Sequence, residues 1–216
     1  MEGTGTFTIG RSFSEACAAT IGSLGLVLGA MLTCYLIYLV SAVTVIGYII
    51  FMPVLGWGVI RFGLNLIDGR ARFEDLFSGF TNYGSRLWRM IFLGLVMVLI
   101  GLIATIPFYF GLYTGNWIVM GIGLLFSMVV GGFMVARLYF AVIFMVDQDM
   151  GVLESIQASL DATRNIWLLT LGLAIVAGIV GMLGGLALIV GLLVSIPISY
   201  LMWVSAYRQI VGRSAE

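Results

Sequence analysis

Histidine and lysine are absent from this 216-residue chain, and Cys17 and Cys34 are its two cysteines. Without histidine the usual general base, zinc ligand and haem axial ligand are missing. A Ser-His-Asp or Cys-His nucleophile cannot be assembled. Without lysine no phosphate loop of the GxxxxGK(S/T) type exists. The cysteines lie in one apolar run. In a helix they would stand roughly 25 Å apart, whereas a disulfide needs Cα atoms within about 7 Å. They read as small apolar fillers, with an intermolecular bridge as the alternative. Charge is scarce as well. Only 9% of residues are charged, and ten basic residues balance ten acidic ones, where a soluble domain carries about 25% charged residues. This excludes a water-soluble globule, a disordered chain and a nucleic-acid-binding protein. Zero net charge leaves no global field to steer an ionic partner. No residue set implies a cofactor or a metal.

What is abundant is hydrocarbon: 62% of residues are hydrophobic. Three stretches, 16–60, 90–136 and 165–207, contain no charged residue. One membrane helix needs about 20 apolar residues. Each stretch is roughly twice that length, so each reads as two helices joined by a tight turn. The fold class is therefore all-α: a polytopic membrane helix bundle of six spans arranged as three hairpins, forming a single integral membrane domain over 1–216. The expected spans are 16–39, 45–67, 88–107, 117–141, 165–183 and 186–207. The turns are a soft break at Ser41–Gly47, a loop over Pro107–Trp117 and a short turn at Gly184-Gly185. All ten arginines, at 11, 61, 70, 72, 86, 89, 137, 164, 208 and 213, then fall on one side. By the positive-inside rule that side is the cytoplasm, with both termini in it. No cleavable signal peptide is expected, because the first apolar run far exceeds a signal core of about 7–15 residues.

The arginines also echo one another. Arg11, Arg86 and Arg164 precede the odd helices, and Arg61, Arg137 and Arg208 end the even ones. An apolar residue beside an acid recurs at Phe13-Ser14-Glu15, Phe73-Glu74-Asp75 and Leu153-Glu154. Two readings stand: three repeats about a pseudo-threefold axis, or three hairpins whose loops simply carry charge at intervals. Segments 70–87 and 152–164 read as amphipathic helices at the cytoplasmic headgroup boundary. In the first, Phe73, Leu76, Phe77, Phe80 and Tyr83 share a face; in the second, Leu153, Ile156, Leu160 and Thr163 do.

Glycine numbers 29. Small residues recur every fourth position: Gly25, Gly29 and Thr33; Gly123, Ser127 and Gly131; Ala177, Gly181 and Gly185; Ala187, Gly191, Ser195 and Ser199. Such ladders let helices approach closely in lipid, either within the bundle or at an oligomer seam. Pro197 is expected to kink the last helix. Arg61, Arg137 and Arg208 are the candidate headgroup or solute contacts, since a guanidinium fork suits phosphate. Arg137 is expected to snorkel or to pair with a loop acid such as Asp147.

Phe73-Glu74-Asp75-Leu76-Phe77-Ser78-Gly79-Phe80 resembles the FxDLFxGF element of a broad group of small prokaryotic membrane proteins. That uncharacterised family is similar to the membrane domain of some glycerophosphoryl diester phosphodiesterases. Glu154, Ile156, Ser159, Thr163 and Trp167 match a second element, and Ala206-Tyr207-Arg208-Gln209 matches its closing one. Leu160, Asn165 and Pro107 depart from the pattern. The resemblance implies an integral protein of a prokaryotic cell membrane without established catalytic residues. No phosphodiesterase domain is expected in these residues.

Three functions follow as expectations. The first is a non-catalytic membrane subunit or scaffold that assembles through its glycine-rich faces, with lipid, other membrane subunits or a second copy as partners. The second is a transporter or channel for a lipid-like or neutral solute, using Arg61, Arg137 and Arg208. The third is a membrane-embedded enzyme using Asp147, Asp149, Glu154 or Asp161.

Overall fold

The structure, a computed structural model, describes residues 6–186 and 188–212. Among these residues there is no strand. The helices are α1 (Ile9–Gly22), α2 (Leu24–Ala42), α3 (Val45–Ile67), α4 (Tyr83–Thr114), α5 (Trp117–Asp147), α6 (Val152–Ala162), α7 (Trp167–Leu186) and α8 (Leu188–Val211). A 3-10 segment, Phe73–Phe80, stands between α3 and α4. Five stretches are long and apolar enough to cross a membrane: Leu24–Ala42, Gly47–Ile67, Tyr83–Thr114, Trp117–Asp147 and Trp167–Gly185. The stretch expected as a sixth span, 186–207, falls on α8, which carries Arg208 in its last turn.

Local chemistry sets the breaks. Between α2 and α3, Thr44 caps the new helix by accepting from the Gly47 N–H at 3.1 Å. Between α4 and α5, Gly115 takes the left-handed conformation (φ 64°), and Asn116 accepts from the N–H groups of Ile118 and Val119. The turn there is two residues long, so the loop expected over Pro107–Trp117 is corrected: Pro107 lies inside α4. A proline is tolerated within a helix of this kind because neighbouring groups reorganise around it. The first apolar run also breaks earlier than expected. Ser23 interrupts it, and the span expected from residue 16 begins at Leu24. No charge marks that break, which is why counting charges misses it. Gly184 and Gly185 belong to α7; the junction at Ala187 lies outside the described residues.

Three short elements, α1, the 3-10 segment and α6, each run antiparallel to the long helix they dock on and bury one face against it. A Cβ at Gly58 would overlap the Leu76 carbonyl, and one at Gly79 would overlap that of Val54. The 3-10 segment therefore runs antiparallel to α3 at backbone contact. The expected amphipathic helix over 70–87 is shorter for this reason, ending where Asn82 turns left-handed (φ 55°). Its aromatic face persists, with Phe73, Phe77, Phe80 and Tyr83 in successive ring contact. Along α6, the Ser159 hydroxyl donates to the Arg137 carbonyl at 2.6 Å. Along α8, Gln209 bonds Ser12 and the Thr8 N–H, and Ser205 bonds Glu15.

The long helices pair as hairpins: α2 with α3, α4 with α5, and α7 with α8. Their second members, α3, α5 and α8, touch one another at the centre. The 3-10 segment packs on α3, α6 on α5, and α1 on α8. The core lies where these inner helices converge, around Leu64, Phe140, Met145, Leu201 and Met202. Further along, α4 and α5 expose apolar side chains such as Leu102, Ile106, Leu125 and Val129. In water that surface would be a gross liability; in hydrocarbon it is ordinary.

Candidate functional site: a buried ion cluster joining three inner helices

The site forms where α3 and α5 end. Asp68 caps α3 and Asp147 closes α5. Both acids thus sit at helix C-termini, where the dipole disfavours negative charge. Arg208 of α8 offsets both. One of its terminal nitrogens lies 3.1 and 3.0 Å from the two Asp147 oxygens, and the other lies 2.7 Å from Asp68 Oδ2. Arg208 is 1% exposed. Its Nε has no hydrogen-bond partner among the described residues. The Tyr207 hydroxyl donates to Asp147 at 2.8 Å and accepts from Gln148 at 3.2 Å. On the exposed side Arg70 reaches Asp68 at 2.8 Å. Arg61 donates to the Val146 carbonyl at 3.4 Å. Two carboxylates and their cations thereby tie three helices at one end.

Of the two expectations for Arg137, snorkelling or pairing with a loop acid such as Asp147, the pairing is corrected here: Arg208 and Tyr207 engage Asp147. Arg137 is half-buried and stacks over Phe133. It donates to the Leu160 carbonyl and, at 3.3 Å, to Thr163 Oγ1. A cation thus meets the C-terminal carbonyls of α6, where the dipole favours it. Arg86 does the same for the 3-10 segment, donating to the Ser78 carbonyl and Thr81 while lying over the Trp57 ring. The three candidate arginines do not form one cluster. Arg61 stands six residues before the end of α3, Arg137 ten before the end of α5, and Arg208 three before the end of α8. Along α5 itself Arg137 stands nine and ten residues before Val146 and Asp147, which Arg61 and Arg208 engage, roughly 14 Å at ~1.5 Å per residue. Arg61 and Arg208 approach the end of α5, and Arg137 sits elsewhere.

Of the four candidate acids, Asp147, Asp149 and Glu154 are engaged in structure. Asp149 pairs with Arg89 at 2.8 Å. Glu154 accepts from the Gly151 N–H and Asp75 from the Arg72 N–H, each closing the first turn of its segment. Two of the three recurring acids are therefore helix caps. The third, Glu15, pairs with Arg11 at 2.6 Å. Asp161 is exposed. Burial pushes the Cys17 thiol above its ordinary range, which weakens it as a nucleophile.

The glycine ladders divide. A Cβ at Gly123 would meet the backbone of Pro107 and Phe108, and one at Gly111 that of Met120. Ser127 Oγ lies 2.8 Å from the Ala104 carbonyl across the same seam. In the α7–α8 hairpin, Ser199 donates to Ala177 at 2.7 Å and Ser195 to Gly181 at 3.2 Å. A Cβ at Gly184 would overlap Ser195 and crowd the Gly191 carbonyl. Gly123, Ser127, Gly181, Gly191 and Ser195 thus serve the hairpins themselves. Among the described residues a Cβ at Gly29 would meet only the Phe73 ring, and one at Gly25, Gly131 or Gly185 would meet nothing within 4 Å.

Charge ladders in the sequence point to the arginines but not to their partners. Asp68 and Tyr207 lie 140 and 60 residues from the groups they bind. Among the described residues, helices without strands and five apolar helices of membrane length are compatible with a multi-pass membrane protein. No family model matches the chain, and no curated protein or solved structure does either.

Proposed function

We propose that this chain is a non-catalytic scaffold of the cell membrane, crossing it six times with its arginine-bearing end in the cytoplasm. In this reading it is built from three interlocked units. Each unit is a short segment followed by a hairpin: α1–α2–α3, the 3-10 segment with α4–α5, and α6–α7–α8. The observation that carries the reading is cyclic packing. Each short element docks on the second long helix of the unit before it, and α1 docks on α8, closing the ring. Each also touches the first long helix of that preceding unit: α1 with α7, the 3-10 segment with α2, and α6 with α4. Two neighbouring classes of contact therefore recur three times, which favours a true pseudo-threefold repeat over coincidence. The sixth crossing would be α8, the hairpin partner of α7. The family resemblance belongs to the same proposal.

A scaffold needs free faces as well as a rigid frame. The ion cluster and the hairpin seams supply the frame. Gly25, Gly131 and Gly185, where an added Cβ would meet nothing within 4 Å among the described residues, mark the faces where another subunit or a second copy would pack closely. The transporter reading needs the three arginines together, and their separation gives it no support. The test compares two leucine variants of the purified chain on native gels. Gly131→Leu should abolish a larger assembly while leaving the monomer folded, whereas Gly123→Leu should unfold the α4–α5 hairpin. Unchanged assembly in Gly131→Leu and in the matching Gly25 and Gly185 variants would refute the scaffold reading.

A further inference from the structure

We propose that the seam between α2 and α8 holds one acyl chain of an anionic phospholipid, with the headgroup at Arg72. The inference rests on α2, α3 and α8 lying in the bilayer, and goes beyond the scaffold reading. Around the ring, α4 packs on α3 and α7 packs on α5, but α2 meets α8 only loosely. A cavity of about 230 Å³ remains there. Its wall is formed by Ala30 and Cys34 of α2, Gly63 of α3, Pro197 and Tyr200 of α8, and Leu76 of the 3-10 segment. The one hydroxyl among them, on Tyr200, is spent on the Val59 carbonyl at 3.3 Å. The wall therefore offers water no partner, and a water would not settle there.

Hydrocarbon is the fitting occupant. Ile196 lines the cavity and is half exposed, so the space opens to the apolar outer surface. An unbranched chain entering from lipid would restore the dispersion contacts that the missing α2–α8 packing forfeits. Charge complementarity fixes the lipid class. The cavity extends to Leu66, one residue before α3 ends. The 3-10 segment runs antiparallel to α3, so Arg72 lies toward that same end, four residues before Leu76. At ~2 Å per residue this is about 8 Å, within reach of an arginine side chain. Arg72 is exposed, and its guanidinium has no ion pair or hydrogen bond among the described residues. Arg70 stands nearby, shared with Asp68. A phosphate headgroup is what an unpaired guanidinium beyond the Leu66 end of an acyl slot would engage.

The test uses the full chain in vesicles doped with phosphatidylglycerol carrying a diazirine in its acyl tail, and with the matching phosphatidylcholine. Crosslinked residues are located by peptide mass spectrometry. Labelling is expected to concentrate on the peptides of Met31, Cys34 and Ile196 and to favour phosphatidylglycerol. Ala30→Phe, which fills the slot, should lower labelling there several-fold and leave labelling at Tyr113 unchanged. If Ala30→Phe fails to fold, the milder Cys34→Leu serves the same purpose. Arg72→Gln should remove the preference for phosphatidylglycerol without emptying the slot. Uniform labelling of every exposed apolar face, meaning annular lipid only, would overturn the proposal. So would equal labelling by both lipids in the unaltered chain, or slot labelling indifferent to both filling variants. None of these outcomes bears on assembly through Gly131, so the two readings fail separately.

Discussion

Replacing Arg208 by methionine removes the cation that bridges Asp68 and Asp147. The side chains of Arg208 and Asp147 are 2% and 5% exposed, so little solvent screens the loss. Stripping one partner from a buried ion pair costs about 3–5 kcal/mol, because the other charge is left uncompensated. Two features reduce that figure. Tyr207 still donates to Asp147, and Arg70 still faces Asp68. A hydrogen bond to a charged group is worth about 1.5–3 kcal/mol, part of which survives here. The net expectation for Arg208→Met is a destabilisation of about 2–4 kcal/mol. For a chain of this size that lowers the thermal midpoint by roughly 4–16 °C. The assay is thermal unfolding of the detergent-purified chain. The double variant Arg208→Met/Asp147→Leu removes both charges and should return to within about 1 kcal/mol of the unaltered chain, since apolar replacement of a buried pair is often neutral. A single variant costing less than about 1 kcal/mol, or a double variant costing the sum of both singles, would refute the electrostatic tie.

Other sites give sharper or weaker effects. Gly58→Ala drives a Cβ into the Leu76 carbonyl; it should cost about 1–3 kcal/mol or more and expose the 3-10 segment to limited proteolysis. Asn116→Ala removes the cap of α5 and should cost about 1 kcal/mol in the same thermal assay. Asp149→Asn breaks a pair whose acid is 74% exposed, and should shift stability by no more than about 1 kcal/mol.

Particular residues show how far sequence reasoning reaches. Charge-free runs locate the hairpins because burying a guanidinium in hydrocarbon is costly, and that cost is read residue by residue. The turns at Thr44 and at Gly115-Asn116 carry their own capping chemistry, and both fall within the regions expected to turn. Ser23 carries no such signal: its side chain makes no cap bond, and the break serves the docking of α1 on α8. Pro107 misleads because its meaning depends on Gly123, which lies against it from the next helix. The ladders were legible as ladders, but their phase was not. Gly123 and Gly131 share one helix face in projection, yet a Cβ at the first would meet α4 and one at the second would meet nothing within 4 Å among the described residues. The ion cluster was half legible. Arg208 stands out in the sequence, whereas the pairing with Asp68 and Asp147 exists only once three helices converge.

Single-cysteine accessibility in a cysteine-free background tests the arrangement most directly. Gly10→Cys, Thr114→Cys, Asp161→Cys and Arg213→Cys are each probed on intact cells with a membrane-impermeant maleimide. The account predicts that Thr114→Cys labels from outside and that the other three label only after the membrane is opened. Labelling of Gly10→Cys and Arg213→Cys from opposite sides would contradict it.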